Sequence, residues 1–319
     1  MPSLSVVLPM RNEEPYVRRA VEAAGAGAAA VGEDYEIIVV DDASTDRTRE
    51  LAEALAGEDA RVRVLHEAQA GGLGATLRAG YRAATKDLVL YSDADLPFDF
   101  GEVERAVRLL EYQEADVLAA YRFDRTSEGA LRTLYTLAYS ALVRTLFGLR
   151  LRDINFSFKL FRRVLVEDIE LKSRGSFIDA EFLVRARNSG ARIIQKGVDY
   201  VPRTRGSSSL ASPRVILGIL LEMARLAPEL WRSRLPAGPP RAQETRAMLT
   251  DVAVSPIAET LRYISAERKS GDLQIRSGRM VKTAFFDHGR LVFTASNLRK
   301  DRLGEALIED GRITEEEFQ

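Results

Sequence analysis

The sequence predicts an α/β protein built on a doubly wound, mostly parallel sheet. Short apolar runs alternate with helical stretches through the first 95 residues, which is typical of consecutive β-α-β units. The runs are almost continuously apolar, as in strands that are buried on both faces. Three of the first four runs end in Asn, Asp or Glu, and parallel strands would place these residues at one edge of the sheet.

The first predicted strand covers residues 4–8 and leads into the polar segment 9–13. An alanine-rich helix is predicted next, over residues 14–31. Asn12 is a residue type that caps helices, and acidic residues follow it where the first turn would lie. We therefore expect Asn12 to cap this helix.

The second and third predicted strands cover residues 36–40 and 62–65. The second strand ends in the acidic segment 41–46. The third is followed by the glycine-rich segment 71–74, which opens a further helix. Glycines allow a close approach of the backbone to phosphate, but this segment lacks the Lys-Ser/Thr pair of a P-loop.

The fourth predicted strand, residues 86–92, leads directly into Asp93 and Asp95. Ligands of open α/β sheets bind beyond the carboxyl ends of the strands. Two carboxylates at this spacing can approach one hard divalent cation, which prefers oxygen ligands. The same spacing also occurs in solvated loops and helix caps, so the rest of the chain has to decide between these interpretations.

The composition of the 319 residues is that of an ordinary globular chain, with 46% hydrophobic and 29% charged residues. A net charge of −1 gives no general attraction to nucleic acid or to an anionic membrane. Cysteine is absent, which excludes disulfides, thiol nucleophiles and cysteine-bound zinc. His66 and His288 are expected to be structural or surface residues. We expect neither a signal peptide nor a membrane span.

Three segments together resemble a known family: residues 9–13, 41–46 and 93–95. In this order, and at strand ends, they are similar to the family 2 glycosyltransferases of the GT-A fold. The branch they resemble most is that of the polyprenyl-phosphate sugar transferases, which includes dolichyl-phosphate mannose synthase. The resemblance extends from residue 4 to about residue 209.

Downstream segments resemble the same branch. The matching residues are 116–122, which read as a fifth strand, 153–163, 177–183 and 198–208. Ser157 stands where the family has Gly. Pro97 stands where many members have a Gln that contacts metal or phosphate, and we expect Asp99 or water to replace that contact.

The resemblance implies transfer of a sugar, with inversion, from a GDP- or UDP-sugar to a polyprenyl phosphate, assisted by Mg²⁺ or Mn²⁺. It implies these site residues: Asp93 and Asp95 for the metal; Pro9, Asn12, Glu13, Asp41, Asp42, Asp93 and Ala94 for the nucleotide sugar; and Asp95, Arg122, Arg203 and Asp179 for catalysis. Arg205 is a further candidate for the acceptor phosphate, because arginines bind phosphate in a bidentate manner.

Two other functions stay open at this point. A family 2 transferase with a sugar hydroxyl as acceptor would need a general base, and Asp179 is the candidate. A transferase fold without catalysis could instead serve as a nucleotide-sugar-binding signalling module. Pro97 and Ser157 favour that interpretation, and the intact pair of Asp93 and Asp95 argues against it.

Two apolar helical stretches, residues 130–148 and 215–230, contain arginines. Each is either a core helix or a helix that lies on a membrane surface and guides a polyprenyl tail. The second interpretation implies a cytoplasmic protein that is peripheral at the inner face of the cytoplasmic membrane.

A Pro/Gly-rich linker at residues 235–246 predicts a boundary between a transferase domain, 1–234, and a small α+β domain, 247–319. The second domain is predicted to have a helix near 255–267, strands at 271–275, 280–286 and 289–295, and a helix at 303–310. It resembles the PATAN-type domains of bacterial signalling proteins, which implies a protein partner. No catalytic constellation is found in it.

Overall fold

The computed structural model describes residues 2–122, 130–201, 213–233, 257–269, 271–277, 280–287 and 289–296. The chain divides into two compact units, Met1–Pro240 and Arg241–Gln319. The predicted linker at 235–246, the predicted helix at 303–310, and Arg203, Arg205 and His288 lie outside the described residues. The predicted domain bounds stay a prediction.

A seven-stranded sheet forms the centre of the first unit. Its strands are β1 Leu4–Met10, β2 Tyr35–Asp41, β3 Val62–His66, β4 Leu88–Tyr91, β5 Val117–Arg122, β6 Lys159–Arg162 and β7 Ile193–Val198. Their order is β3-β2-β1-β4-β6-β5-β7, and β6 alone runs antiparallel to its neighbours. The prediction of a mostly parallel α/β sheet is confirmed, whereas β6 and β7 are strands that the sequence pattern does not predict.

Helices cover both faces of this sheet. They are α1 Val17–Val31, α2 Thr48–Glu58, α3 Leu73–Ala83, α4 Glu102–Tyr112, α5 Ala130–Phe147, α6 Val164–Asp168, α7 Ile178–Asn188 and α8 Pro213–Arg232. Helices α1, α2 and α4 pack together on one face. On the other face, side chains of α3, α5, α7 and α8 form one apolar core with β1, β2, β4 and β5.

Two sequence expectations about local structure are corrected. The first helix begins at Val17, later than residue 14, and its N-cap residue is Tyr16. Asn12 therefore does not cap it. The Asn12 backbone is left-handed, with φ 54°, and its amide oxygen accepts a hydrogen bond from Thr45 N at 2.8 Å. The fourth strand is also shorter than the predicted 86–92, because it begins at Leu88 and ends at Tyr91, which leaves Ser92 in the following loop.

The carboxyl ends of β1, β2 and β4 meet at one edge of the sheet, since β1 pairs in parallel with both of the others. The loop after each strand contains one non-glycine residue in the left-handed region: Asn12, Ala43 and Leu96, with φ values of 54°, 52° and 56°. Such backbone strain concentrates at functional sites. This edge is therefore where a site is expected.

The second unit contains α9 Ile257–Ala266 and the strands β8 Gly271–Ser277, β9 Met280–Asp287 and β10 Arg290–Ser296. The strands form an antiparallel sheet in the order β10-β9-β8. Asp287 and Arg290 are paired at the turn between β9 and β10. The predicted helix and strands are present here, and the resemblance to a PATAN-type domain stays a prediction.

Candidate active site

Two carboxylates lie directly after β4. Tyr91, the last residue of that strand, donates its phenolic hydrogen to Asp93 Oδ1 at 3.0 Å. The Ser157 hydroxyl also bonds to Asp93. Ala94 is buried, which leaves Asp93 and Asp95 as the polar side chains of this turn.

The carboxylates repel each other electrostatically. Burial raises the pKa of Asp93 to about 6, and the negative charges of Asp95 and Asp179 add to this rise. The bonds from Ser157 and Tyr91 oppose the rise without cancelling it. A group whose charged form is disfavoured in this way gains stability from a nearby cation.

Asp179 lies in the first turn of α7 and is buried. Its Oδ1 is 2.6 Å from Nζ of Lys159, whose side chain is 1% exposed. Burial raises the pKa of Asp179, whereas the charge and hydrogen bond of Lys159 lower it. Lys159 Nζ also donates to the Phe156 carbonyl oxygen at 2.7 Å. Asp179 is thus held in a buried ion pair.

Arg122 ends β5 and is also buried. Its Nε and Nη2 donate to the two carboxylate oxygens of Asp153 at 2.7 and 3.2 Å. Its guanidinium carbon lies 5.4 Å from the ring centroids of both Phe156 and Tyr200. The arrangement fixes the Arg122 guanidinium, paired with the Asp153 carboxylate, at the carboxyl end of β5.

The loops after β1 and β2 are bonded to each other. Ser44 Oγ accepts a hydrogen bond from Asn12 N at 3.0 Å, and Thr48 Oγ1 accepts one from Glu13 N at 2.8 Å. Together with the bond from Thr45 to Asn12, these contacts fix the two loops as one surface. Pro9 lies just before this surface, within β1 and opposite Val40.

Asp41 and His66 end the neighbouring strands β2 and β3, where they face each other. Asp41 is fully buried, and its Oδ2 lies 2.8 Å from His66 Nδ1. Its Oδ1 accepts a hydrogen bond from Ser44 N at 3.2 Å. His66 is therefore a partner of a predicted nucleotide-binding residue, in agreement with its predicted structural role.

Asp42 connects β2 to the glycine-rich segment. Its two oxygens accept hydrogen bonds from Gly71 N at 2.6 Å and Gly72 N at 3.2 Å. Gly72 has φ 81°, and a Cβ there would lie 2.7 Å from the Arg174 carbonyl oxygen. The glycines thus allow α3 to begin against the loop before α7.

The residues present fit a divalent cation. Among the described residues, no cluster of three or more His, Cys, Asp or Glu side chains could hold a metal ion. Asp93 and Asp95 supply two hard oxygen ligands, and their mutual repulsion favours a cation. Mg²⁺ is commonly bound by one or two carboxylates, with substrate phosphates and water completing its coordination. Asp99, in the loop after β4, is exposed, and its Oδ1 accepts a hydrogen bond from Gly101 N at 2.8 Å. Its role in place of the missing Gln stays a prediction.

Several residues of the site were not predicted as such. Tyr91 contacts Asp93 two residues away. Three further residues contact predicted ones across longer stretches of the chain: Asp153, Ser157 and Lys159. One signal was available for Lys159, which is a single charged residue in the otherwise apolar run 158–161. A lysine inside a buried strand requires a charged partner.

Comparison with known proteins agrees with this geometry. Residues 5–170, more than half of the chain, match the model of "Glycosyl transferase family 2". The chain belongs to glycosyl transferase family 2. The matched region contains Asp93, Asp95, Arg122 and Lys159, and it ends before Asp179.

Relatives within this family include named polyprenyl-phosphate sugar transferases. Over 231 residues, the chain is 34% identical to glycosyltransferase AglD of Haloferax volcanii, covering 70% of this chain and 36% of AglD. It is 30% identical over 225 residues to dodecaprenyl-phosphate galacturonate synthase of Rhizobium johnstonii, covering 69% and 66% of the two chains. It is 31% identical to undecaprenyl-phosphate mannosyltransferase of Micrococcus luteus, covering 56% of this chain and 76% of that one. The chain thus spans less than two thirds of the first two relatives.

Solved structures share the fold. Glucosyl-3-phosphoglycerate synthase from Mycobacterium tuberculosis, in complex with Mn²⁺ and UDP-glucose, superposes with a TM-score of 0.53 at 22% identity, covering 69% of this chain and 78% of that chain. A mycobacterial protein superposes with a TM-score of 0.54 at 19% identity, covering 92% and 83%. These similarities confirm the predicted GT-A architecture.

Proposed function

We propose that the chain transfers a sugar from a nucleoside-diphosphate sugar to a polyprenyl phosphate. The observation that carries the proposal is the buried ion pair between Asp179 and Lys159. Asp179 is the candidate base for a hydroxyl acceptor, and it is engaged by a lysine instead. A phosphate acceptor needs no base, because it is already largely ionised at neutral pH.

The donor side is proposed to use the edge formed by β1, β2 and β4. The joined loops that contain Asn12, Glu13, Asp41 and Asp42 would bind the nucleotide. A divalent cation, Mg²⁺ or Mn²⁺, bound by Asp93 and Asp95 would offset the charge that develops on the departing nucleoside diphosphate. The structure with Mn²⁺ and UDP-glucose in the same fold supports this assignment.

The acceptor side is proposed to use Arg122, whose guanidinium is fixed by Asp153. Arg203, from the family-like segment 198–208, is proposed as the second cation for the acceptor phosphate. In the reaction, an acceptor phosphate oxygen forms a bond to the anomeric carbon while the bond from that carbon to the diphosphate oxygen breaks. Attack from the opposite face gives inversion. The names of relatives that use dodecaprenyl and undecaprenyl phosphates support this acceptor class.

The test compares acceptors that differ by a single group. The full chain is incubated with a panel of UDP- and GDP-sugars, with Mg²⁺ or Mn²⁺, and with polyprenyl phosphate, polyprenol or a soluble sugar. We expect transfer only to the polyprenyl phosphate, and we expect a chelator to abolish it. Transfer to a soluble sugar would favour the hydroxyl-acceptor alternative, and donor hydrolysis without any transfer would favour the binding module.

We further propose that the protein works at the inner face of the cytoplasmic membrane. Among the described helices, none has both the length and the apolar character needed to cross a membrane. Helix α8 nevertheless exposes Leu217, Leu220, Leu221 and Trp231 at 57, 42, 61 and 47%. An exposed apolar helix face with arginines beside it is typical of helices that lie on lipid.

Vesicle flotation tests this surface. Leu221→Asp is expected to reduce binding of the full chain to vesicles that contain anionic lipid. Val164→Asp is the matched control, because Val164 is similarly exposed, at 52%, on α6. Equal binding by both variants and the wild type would remove α8 from the proposal.

The predicted domain division leads to a separate proposal. A fragment of residues 1–234 is expected to fold and to transfer sugar without the second unit. Purification and assay of this fragment beside the full chain test the division. A fragment that is insoluble where the full chain is soluble would contradict it.

A further inference from the structure

A lysine occupies the middle of the main sheet. Lys159 is the first residue of β6 and pairs directly with Tyr91 of β4 and with Ala119 of β5. Its side chain is 1% exposed. Burial of an ammonium group is strongly unfavourable unless a partner compensates its charge. Packing alone therefore does not explain a lysine at this position.

The contacts of Lys159 connect it to the candidate active site. Nζ lies 2.6 Å from Asp179 Oδ1 and 5.4 Å from the ring centroid of Tyr91. Tyr91 in turn donates to Asp93. The sheet register explains this proximity, because residues that are directly opposite on adjacent strands share one face. Lys159 and Tyr91 therefore lie side by side next to the Asp93 carboxylate.

The charges of this cluster can be counted. Asp93, Asp95 and Asp179 interact electrostatically and contribute three negative charges. Lys159 contributes one positive charge. The adjacent pair of Arg122 and Asp153 is neutral. The cluster therefore carries two negative charges when all its groups are ionised, which is the charge that one divalent cation cancels.

We propose that Lys159 and Asp179 are a charge-setting pair that holds the carboxylate cluster at a net charge of minus two. The proposal rests on the metal binding that the proposed function includes. Asp179 acts through Lys159 and is a positioning residue, and it does not accept a proton from the acceptor. The pair prevents the lysine from repelling the cation and prevents a third carboxylate from adding to the repulsion between the first two.

The test measures Mn²⁺ binding to the full chain without any substrate, by titration calorimetry or by the electron paramagnetic resonance signal of free Mn²⁺. Asp179→Asn leaves the Lys159 charge uncompensated, so we expect the Kd for Mn²⁺ to rise about tenfold or more. The double variant Lys159→Met, Asp179→Asn restores the charge of minus two. We expect its Kd to return to within about threefold of the wild type, and transfer to a polyprenyl phosphate to return with it.

A matched control separates local charge from lost stability. Glu36→Gln also removes one buried carboxylate. Glu36, however, lies near the amino end of β2, whereas the candidate site lies at the carboxyl ends of the strands. We expect it to leave the Kd for Mn²⁺ unchanged. If Asp179→Asn does not fold, the double variant still provides the comparison with the wild type.

Two outcomes would overturn the inference. One is an unchanged Kd for Mn²⁺ in folded Asp179→Asn. The other is a double variant that binds Mn²⁺ as the wild type does and yet transfers no sugar, because that result gives the pair a role in transfer other than setting the charge. A wild-type chain that binds no Mn²⁺ would instead contradict the metal in the proposed function, and it would remove the charge-setting role at the same time.

Discussion

Carboxylates lie at both ends of the central strands, and their surroundings are opposite. At the amino end, Glu36 accepts hydrogen bonds from Ser5 Oγ, Thr85 N and Thr85 Oγ1, each at 2.7 Å, and from Arg63 at 2.7 Å. Burial alone would raise the pKa of Glu36, but these donors lower it below its ordinary value. At the carboxyl end, the pKa of Asp93 is raised to about 6.

The difference separates a structural carboxylate from a functional one. The donors around Glu36 satisfy its charge within the fold, so this group stabilises the native state. Asp93 has other carboxylates as neighbours, so its charge is satisfied only in part. An arrangement that costs stability is kept where a ligand provides the compensation. Asp93 and Asp95 therefore indicate a cation, and Glu36 does not.

The largest expected effect is a loss of sugar transfer when Asp95, at the carboxyl end of the strands, is substituted. Asp95→Asn is expected to reduce sugar transfer about 10²–10³-fold, the usual cost of losing one electrostatic stabiliser of a transition state. Its melting temperature should stay the same or rise, because the substitution removes repulsion from Asp93. Steady-state assay and thermal melting measure the two quantities. Full activity in a folded Asp95→Asn variant would contradict the metal role.

At the amino end of the strands, a substitution should lower stability and leave the rate of transfer unchanged. Glu36→Gln is expected to lower the free energy of unfolding by about 1–3 kcal/mol, because charge-assisted hydrogen bonds are weakened or lost. The rate of transfer should stay within about twofold of the wild type, since a stability effect alone leaves the folded site unchanged. Chemical denaturation and assay check this. Glu33→Gln is the control, because Glu33 is exposed three residues away, and it should change neither quantity.

The smallest expected effect is a change with pH in the stability difference between the wild type and Glu36→Gln. The pKa of Glu36 is lower in the folded chain than the ordinary value of 4.5, so the unfolded state takes up a proton first as the pH falls. The stability that Glu36 contributes is therefore complete above about pH 4.5 and decreases below it. The gap between wild type and Glu36→Gln should close as denaturation is repeated from pH 7 towards pH 3. A constant gap would show that the loss came from packing and not from charge.

Much of this architecture can be predicted from local sequence pattern. Continuous apolar runs indicate buried parallel strands, and the residues after them locate the site at the carboxyl ends of β1, β2 and β4. Asp93 and Asp95 were identified in this way, and the apolar stretch 215–230 was recognised as helical from its own pattern, with core and membrane-surface roles both left open. The prediction that Asn12 caps α1 was wrong, because a bond from Thr45 in another loop holds Asn12 in a different conformation.

The sequence by itself determined the fold class, the family and the order of the polar strand ends. Each of these depends on residues that are close in the chain and on the spacing of the apolar residues. The tertiary structure decided which strands adjoin. Strand β6 lies between β4 and β5 in the sheet, although it follows both in the chain, and this places Lys159 opposite Tyr91. The pairing of Asp179 with Lys159 and of Arg122 with Asp153 depends on that order. Such contacts join residues that are distant in the chain, so no local pattern records them, and they decide which charged groups of the site are compensated.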